Sequence, residues 1–211
     1  SNWFNSNNWS NGQLPARNDN VRINNAGVVI DPALDTSAST RGVVFVADLA
    51  LTGSALLETF PGTEFHFQNC SVVDNSSINA VSSLLLGTGA VSLHGRSLTL
   101  SSSLLQSVSV NLTDTEVEIL LGGSTPAGPQ GVGPGHYGNI RGDTISLSNV
   151  SLQVVFVHNF APQPGDRFVI VQSGSSLSGQ FNNAPEGAEV ARVGNVSLVI
   201  RYLASSIVLE A

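Results

Sequence analysis

Between Val21 and Leu121 the chain is cut into short apolar runs: VRI at 21–23, VVI at 28–30, VVFV at 43–46, FHF at 65–67, LLL at 84–86, LTL at 98–100, VSVNL at 108–112 and VEILL at 117–121. Asn, Asp, Gly, Ser and Thr separate them. None is long enough for a helix, and the runs return about every ten residues, which is the pattern of strand and turn repeated. No exact repeat is present, so the period lies in the pattern alone. Taken in twos and threes, the runs predict solenoid coils of about 20–25 residues. The expected fold class is all-β: a right-handed parallel β-helix with a C-terminal β-rich module, the hand following from the chirality of parallel crossovers. Val, Ile, Leu and Phe would stack inside on their own kind. Asn24, Asn25, Asn69, Asn75 and Asn79 are the expected corner residues, because asparagine accepts tight and left-handed turns.

Composition narrows the setting. Charged residues make up 11% and apolar residues 41%, the balance of an exported all-β protein rather than of a disordered chain. Fifteen acids face eight bases, every base is Arg, and the net charge is −7. That leaves no basic footprint for nucleic acid and no polybasic patch for a membrane surface. No run of about 20 apolar residues is present to span a bilayer. The chain contains no Met and no leader-like stretch, so the expectation is an extracellular or cell-surface protein whose signal peptide has been removed. Cys70 is the single cysteine. It cannot form an intrachain disulfide and is expected to act as a small buried side chain.

Four segments are expected. Residues 1–20 form an N-terminal cap or arm, in which Trp3, Phe4 and Trp9 are the large apolar side chains; a first coil has nothing beneath it and needs such a cover. Residues 21–121 hold the β-helix coils. Residues 122–144, GGSTPAGPQGVGPGHYGNIRGDT, are too rich in Gly and Pro to continue a ladder and read as a surface loop or boundary. Residues 145–211 form the C-terminal β module, continuing or capping the solenoid.

Both ends carry a resemblance. The order W-x5-W-S-x-G-x-L-P-x3-D-x-V-x-I, held by Trp3, Trp9, Gly12, Pro15, Asp19, Val21 and Ile23, resembles the opening of bacterial secreted and surface-anchored parallel β-helix proteins of the autotransporter-passenger type. The closing order is held by Pro164, Gly165, Asp166, Phe168, Ile170, Gly179, Phe181, Pro185, Glu186, Gly187, Ile200, Tyr202, Val208 and Leu209, and resembles the C-terminal module of the same proteins more specifically. The resemblance implies a surface-exported β-helix with a matching terminal module. One position departs: members often carry an acidic, Gly- and Asn-rich turn between the last two strands, where this chain has Leu203, Ala204, Ser205 and Ser206. No calcium role is carried over to that turn.

Few residues suggest chemistry. Asp114, Glu116 and Glu118 in NLTDTEVEILL would share one face of a strand, with neighbouring carboxylates about 6.6–7 Å apart along it, a spacing compatible with paired acids in glycoside hydrolysis. The plainer reading is that Val117, Ile119 and Leu121 point inward and the acids face water. A lyase would also want a base nearby, and Arg96 and Arg141 are the closest arginines in sequence. His66, His94, His136 and His158 form no metal-ligand spacing, His66 being expected to face outward between Phe65 and Phe67. No pattern calls for a cofactor. Arg141–Gly142–Asp143 spells an RGD after the loop, and N-x-S/T sequons occur at Asn8, Asn69, Asn75, Asn111, Asn149 and Asn195.

The function expected from these readings is a non-enzymatic extracellular structural protein, a self-associating β-helical surface, filament or stalk subunit. Its joint would combine the arm (Trp3, Phe4, Trp9) with the final strand around Ile207, Val208 and Leu209, which reads as an apolar edge without Lys or Pro to blunt it. The partner would be a second copy of the chain, with a surface polysaccharide as a further partner. The alternative is a polysaccharide lyase or hydrolase using the Asp114–Glu118 row, or a carbohydrate-binding β-helix.

Overall fold

Alternation within each short run sets the strands. In Val21–Asn24 the Val and Ile are buried while Arg22 and Asn24 face solvent, and the same alternation recurs in run after run. A computed structural model of the chain describes residues 1–24, 26–30, 33 and 42–211. Among these there is no α-helix; a short 3-10 turn spans Ser6–Asn8. The first coil comprises β1 (Val21–Asn24), β2 (Gly27–Ile30) and β3 (Val43–Phe45). Then follow β4 (Asp48–Thr52), β5 (Leu56–Thr59) and β6 (Glu64–Phe67), and β7 (Asn69–Val73), β8 (Ser77–Val81) and β9 (Leu84–Gly87). The next coils use β10 (Ala90–His94), β11 (Ser97–Ser101), the long β12 (Leu104–Thr113) and β13 (Glu116–Leu121). After the short β14 (Thr125–Pro126) and β15 (His136–Tyr137), the column resumes with β16 (Asn139–Ser148), β17 (Ser151–Phe156) and β18 (Arg167–Ser178).

The architecture is a parallel β-helix. Leu49 lies beside Cys70 and Cys70 beside Val91, each a step of 21 residues. Thr99 lies beside Glu118, a step of 19. Three strand faces result. The first stacks β1, β4, β7 and β10 on the second half of β12 and of β16. The second stacks β2, β5, β8, β11, β13 and β17, all parallel. The third stacks β3, β6 and β9 on the first halves of β12, β16 and β18. The long strands therefore turn a corner and serve two faces.

Inside, like stacks on like. Ile23, Leu51, Val72, Leu93, Leu112 and Leu147 form one column, and Val44, Phe65, Leu85, Leu105, Ile140 and Val171 another. All are buried. Cys70 sits in such a column and is buried and free, as its setting between strand residues predicts. Burial pushes its thiol up to about 12.

The corners match the expectation in part. Asn79 lies within β8, Asn24 closes β1 and Asn69 opens β7, while Asn25 falls outside the described residues. Among the described residues the left-handed non-glycine positions are Asp74, Ser82, Ser102, Asp114, Asn149, His158 and Asn159, with φ between 46° and 60°, and glycines such as Gly53 and Gly62 join them. Asn75 lies in the turn that Asp74 opens between β7 and β8, a corner as expected. Buried hydroxyls do the remaining corner work, since backbone groups leaving the ladder need partners. Ser76 Oγ accepts from Ala55 N, Ser103 Oγ from Ser83 N and Thr115 Oγ1 from Gly95 N, each from an adjacent coil.

The Gly- and Pro-rich loop is not a loose excursion. Residues 122–138 fold back from the end of β13, with which β15 pairs antiparallel through Leu121 and Tyr137, and reach over the third face. Ala127 packs on Leu84 and Leu104, with Val132 and Leu86 partly buried beside them. This small apolar cluster lies outside the column, so the loop is a flap with its own core.

Three more strands close the far end. β19 (Glu189–Val193), β20 (Val196–Leu203) and β21 (Ser206–Glu210) form an antiparallel sheet in the order β18, β21, β20, β19.

Candidate functional site

The outward residues of the second face form two polar columns. Glu58, Asn79, Thr99, Glu118 and Gln153 are successive ladder partners, and beside them run Ser77, Ser97, Glu116 and Ser151. Val117, Ile119 and Leu121 are fully buried, alternating with Glu116, Glu118 and Leu120. Glu116 is exposed and Glu118 half-buried. Thr99 Oγ1 donates to Glu118 Oε2 at 3.1 Å, and Ser97 Oγ to Ser77 Oγ at 3.1 Å.

The sequence places Asp114 in this row, and the structure removes it. Asp114 takes a φ of 49° at the corner before β13, so its side chain leaves the strand. Its carboxylate meets His94 Nε2 at 3.3 Å and accepts from Asn149 Nδ2 at 2.6 Å. Arg96 instead joins Glu116 and Glu118, since all three line an open groove of about 410 Å³ with Asn75, Thr99 and Gln153. This proximity crosses coils and is invisible in the linear order.

At the near end, Trp3 is 2% exposed. Its ring stands edge-on to Phe65 (centroids 5.5 Å apart, 67°) and to Trp9 (4.8 Å, 70°). Trp9 Nε1 donates to the Trp3 carbonyl at 2.9 Å. The arm is also an extra rung: Trp3 N donates to Val29 O, Val29 N to Ser1 O, and Asn2 bridges Val29 in parallel. Phe4 and Trp9 pack partly buried against the same core.

At the far end, Ile207, Val208 and Leu209 are at most 1% exposed. The final strand is not an edge. β21 lies between β18 and β20, paired with both, so the expected apolar edge at this strand is absent. The closing-motif residues hold this module together. Tyr202 Oη accepts from Phe181 N and donates to Ala184 O at 2.6 Å. Glu186 accepts from Tyr202 N at 2.7 Å, and this bond, followed by that from Arg201, holds its carboxyl below the usual range. Glu210 then bridges Arg167 at 3.1 Å and Arg201 at 3.3 Å across three strands. The last parallel strand of the second face is covered too, because the Asn183 amide both accepts from Leu152 N and donates to Leu152 O at 2.9 Å.

No family model, no curated protein and no solved structure matches this chain. The chain forms two long, largely parallel sheets wound into a β-solenoid. Among the described residues no group of three or more His, Cys, Asp and Glu side chains converges, and no helix is long and apolar enough to cross a membrane. Arg141–Gly142–Asp143 does not cap a flexible loop; it lies within the ladder of β16.

Proposed function

We propose that the chain is a non-enzymatic structural module of an extracellular or cell-surface protein, a stiff β-helical column that holds its sides at a fixed spacing. The observation that carries this reading is closure at both ends by the chain's own elements: Trp3 seated on Phe65 below, and β21 enclosed between β18 and β20 above. A solenoid whose terminal coils are covered needs no neighbour to bury them. Head-to-tail self-association through the arm and the final strand would first displace Trp3 or β20, so the reading favours a column not joined in that way. The surface setting rests on the composition and on the likeness of both ends to passenger-type β-helices, whose closing motif coincides with the bonds of Tyr202 and Glu186. The test is labelling of intact source cells with antibody raised to the folded chain. Surface labelling removed by external protease is expected; label found only after lysis overturns the setting.

A second reading, a polysaccharide-cleaving enzyme, has one observation in its favour, the groove that brings Arg96 to Glu116 and Glu118. It predicts depolymerisation of an acidic polysaccharide that is lost in the Glu116→Gln, Glu118→Gln double variant.

A further inference from the structure

A different groove carries more. Where β12, β16 and β18 turn from the third face to the first, they leave a trough of about 400 Å³ running along the column. One wall is a ladder of planar polar side chains, Gln106 beside Arg141 beside Gln172, in register at about 4.8 Å per step. The floor is the adjoining column of Ser107, Gly142 and Ser173. It stays low because these residues are small: a Cβ on Gly142 would stand 3.1 Å from the Ser107 carbonyl. The opposite rim is Val108, 48% exposed, with the exposed Asp143.

Arg141 is half-buried in this wall and makes no ion pair among the described residues. The flap positions it. Its two terminal nitrogens lie 3.7 and 3.9 Å from where a Cβ on Gly128 would stand, an ordinary contact distance, so the guanidinium lies against the flap. A half-buried guanidinium with free donors is suited to a carboxylate, which it binds in two parallel hydrogen bonds. The flanking glutamines each offer a donor and an acceptor, matching hydroxyl groups on either side.

We propose that this trough binds an acidic oligosaccharide, a hydroxyl-rich chain whose carboxylate sits on Arg141 while Gln106 and Gln172 hold the hydroxyls of its neighbours and Asp143 accepts from a hydroxyl across the groove. A peptide added as a strand is a poorer occupant. β12, β16 and β18 are already paired along this stretch, and strand addition needs an unpaired edge.

The experiment is titration calorimetry of the intact protein with a linear hexamer of galacturonic acid, and with a neutral hexamer of glucose as the comparison. Saturable binding of the uronate hexamer, at least tenfold weaker in Arg141→Gln, is expected. That variant extends the glutamine ladder on both sides and should fold, which circular dichroism checks. Glu189→Gln, in the terminal sheet and outside both grooves, should bind as the wild type does. Failure of the uronate hexamer to bind, equal binding of both hexamers, or unchanged affinity in folded Arg141→Gln would overturn the assignment.

Discussion

Trp3 stands edge-on to Phe65, ring centroids 5.5 Å apart, although the two lie coils apart in the chain. The contact turns an aromatic arm into the floor of the column. Truncating Trp3 to Ala would open a cavity beneath Phe65, at an expected cost of about 3–5 kcal/mol. Chemical denaturation measures it, and a loss under about 1 kcal/mol would mean that the arm is not a structural floor.

Tyr202 is the equivalent lock at the other end. Tyr202→Phe removes the hydroxyl that serves both Phe181 N and Ala184 O. The expected loss is about 1–3 kcal/mol, the cost of leaving such groups unpaired. Hydrogen exchange should quicken first at residues 179–188, and an unchanged exchange pattern would contradict the role.

Gly179 has a φ of 85°, and a Cβ there would meet the Leu147 carbonyl oxygen. Both backbone strain and collision oppose Gly179→Ala. Its thermal midpoint should fall well below that of Gly165→Ala, where φ is 95° but no atom lies within reach of a Cβ.

Acid should loosen the terminal sheet. Hydrogen bonds from Arg192, then Ser197, hold Glu189 at about 2 rather than 4.5. A carboxyl depressed on folding adds stability that is fully present above its unfolded value and is lost as pH falls through the folded one. The loss therefore runs from about pH 4.5 down to about 2. It is small, because the group is exposed. Glu189→Gln should flatten part of the slope of thermal midpoint against pH in that window; an unchanged slope would exclude this pair as a contributor.

Much of this was legible in the sequence because alternation is local. Phe65 and Phe67 point in and His66 out, and Glu116 and Glu118 face solvent around Val117, as the runs predict. What escaped depends on single backbone angles or on distant pairing. One left-handed residue removes Asp114 from its row, and nothing in TDTEVEI marks it. Leu84 and Leu104 sit on outward positions of apolar runs, so only the flap that covers them reveals why they are leucine. The apolar final strand reads as an edge until β20, its antiparallel neighbour, is seen to return beside it.

Closure at both ends is the central claim, and sedimentation equilibrium of the intact chain over a wide concentration range tests it most directly. A monomer mass at every concentration is expected. A mass that climbs with concentration, and returns to the monomer when residues 1–9 are deleted with the β-sheet signal intact, would contradict the account and show that the aromatic arm joins one column to the next.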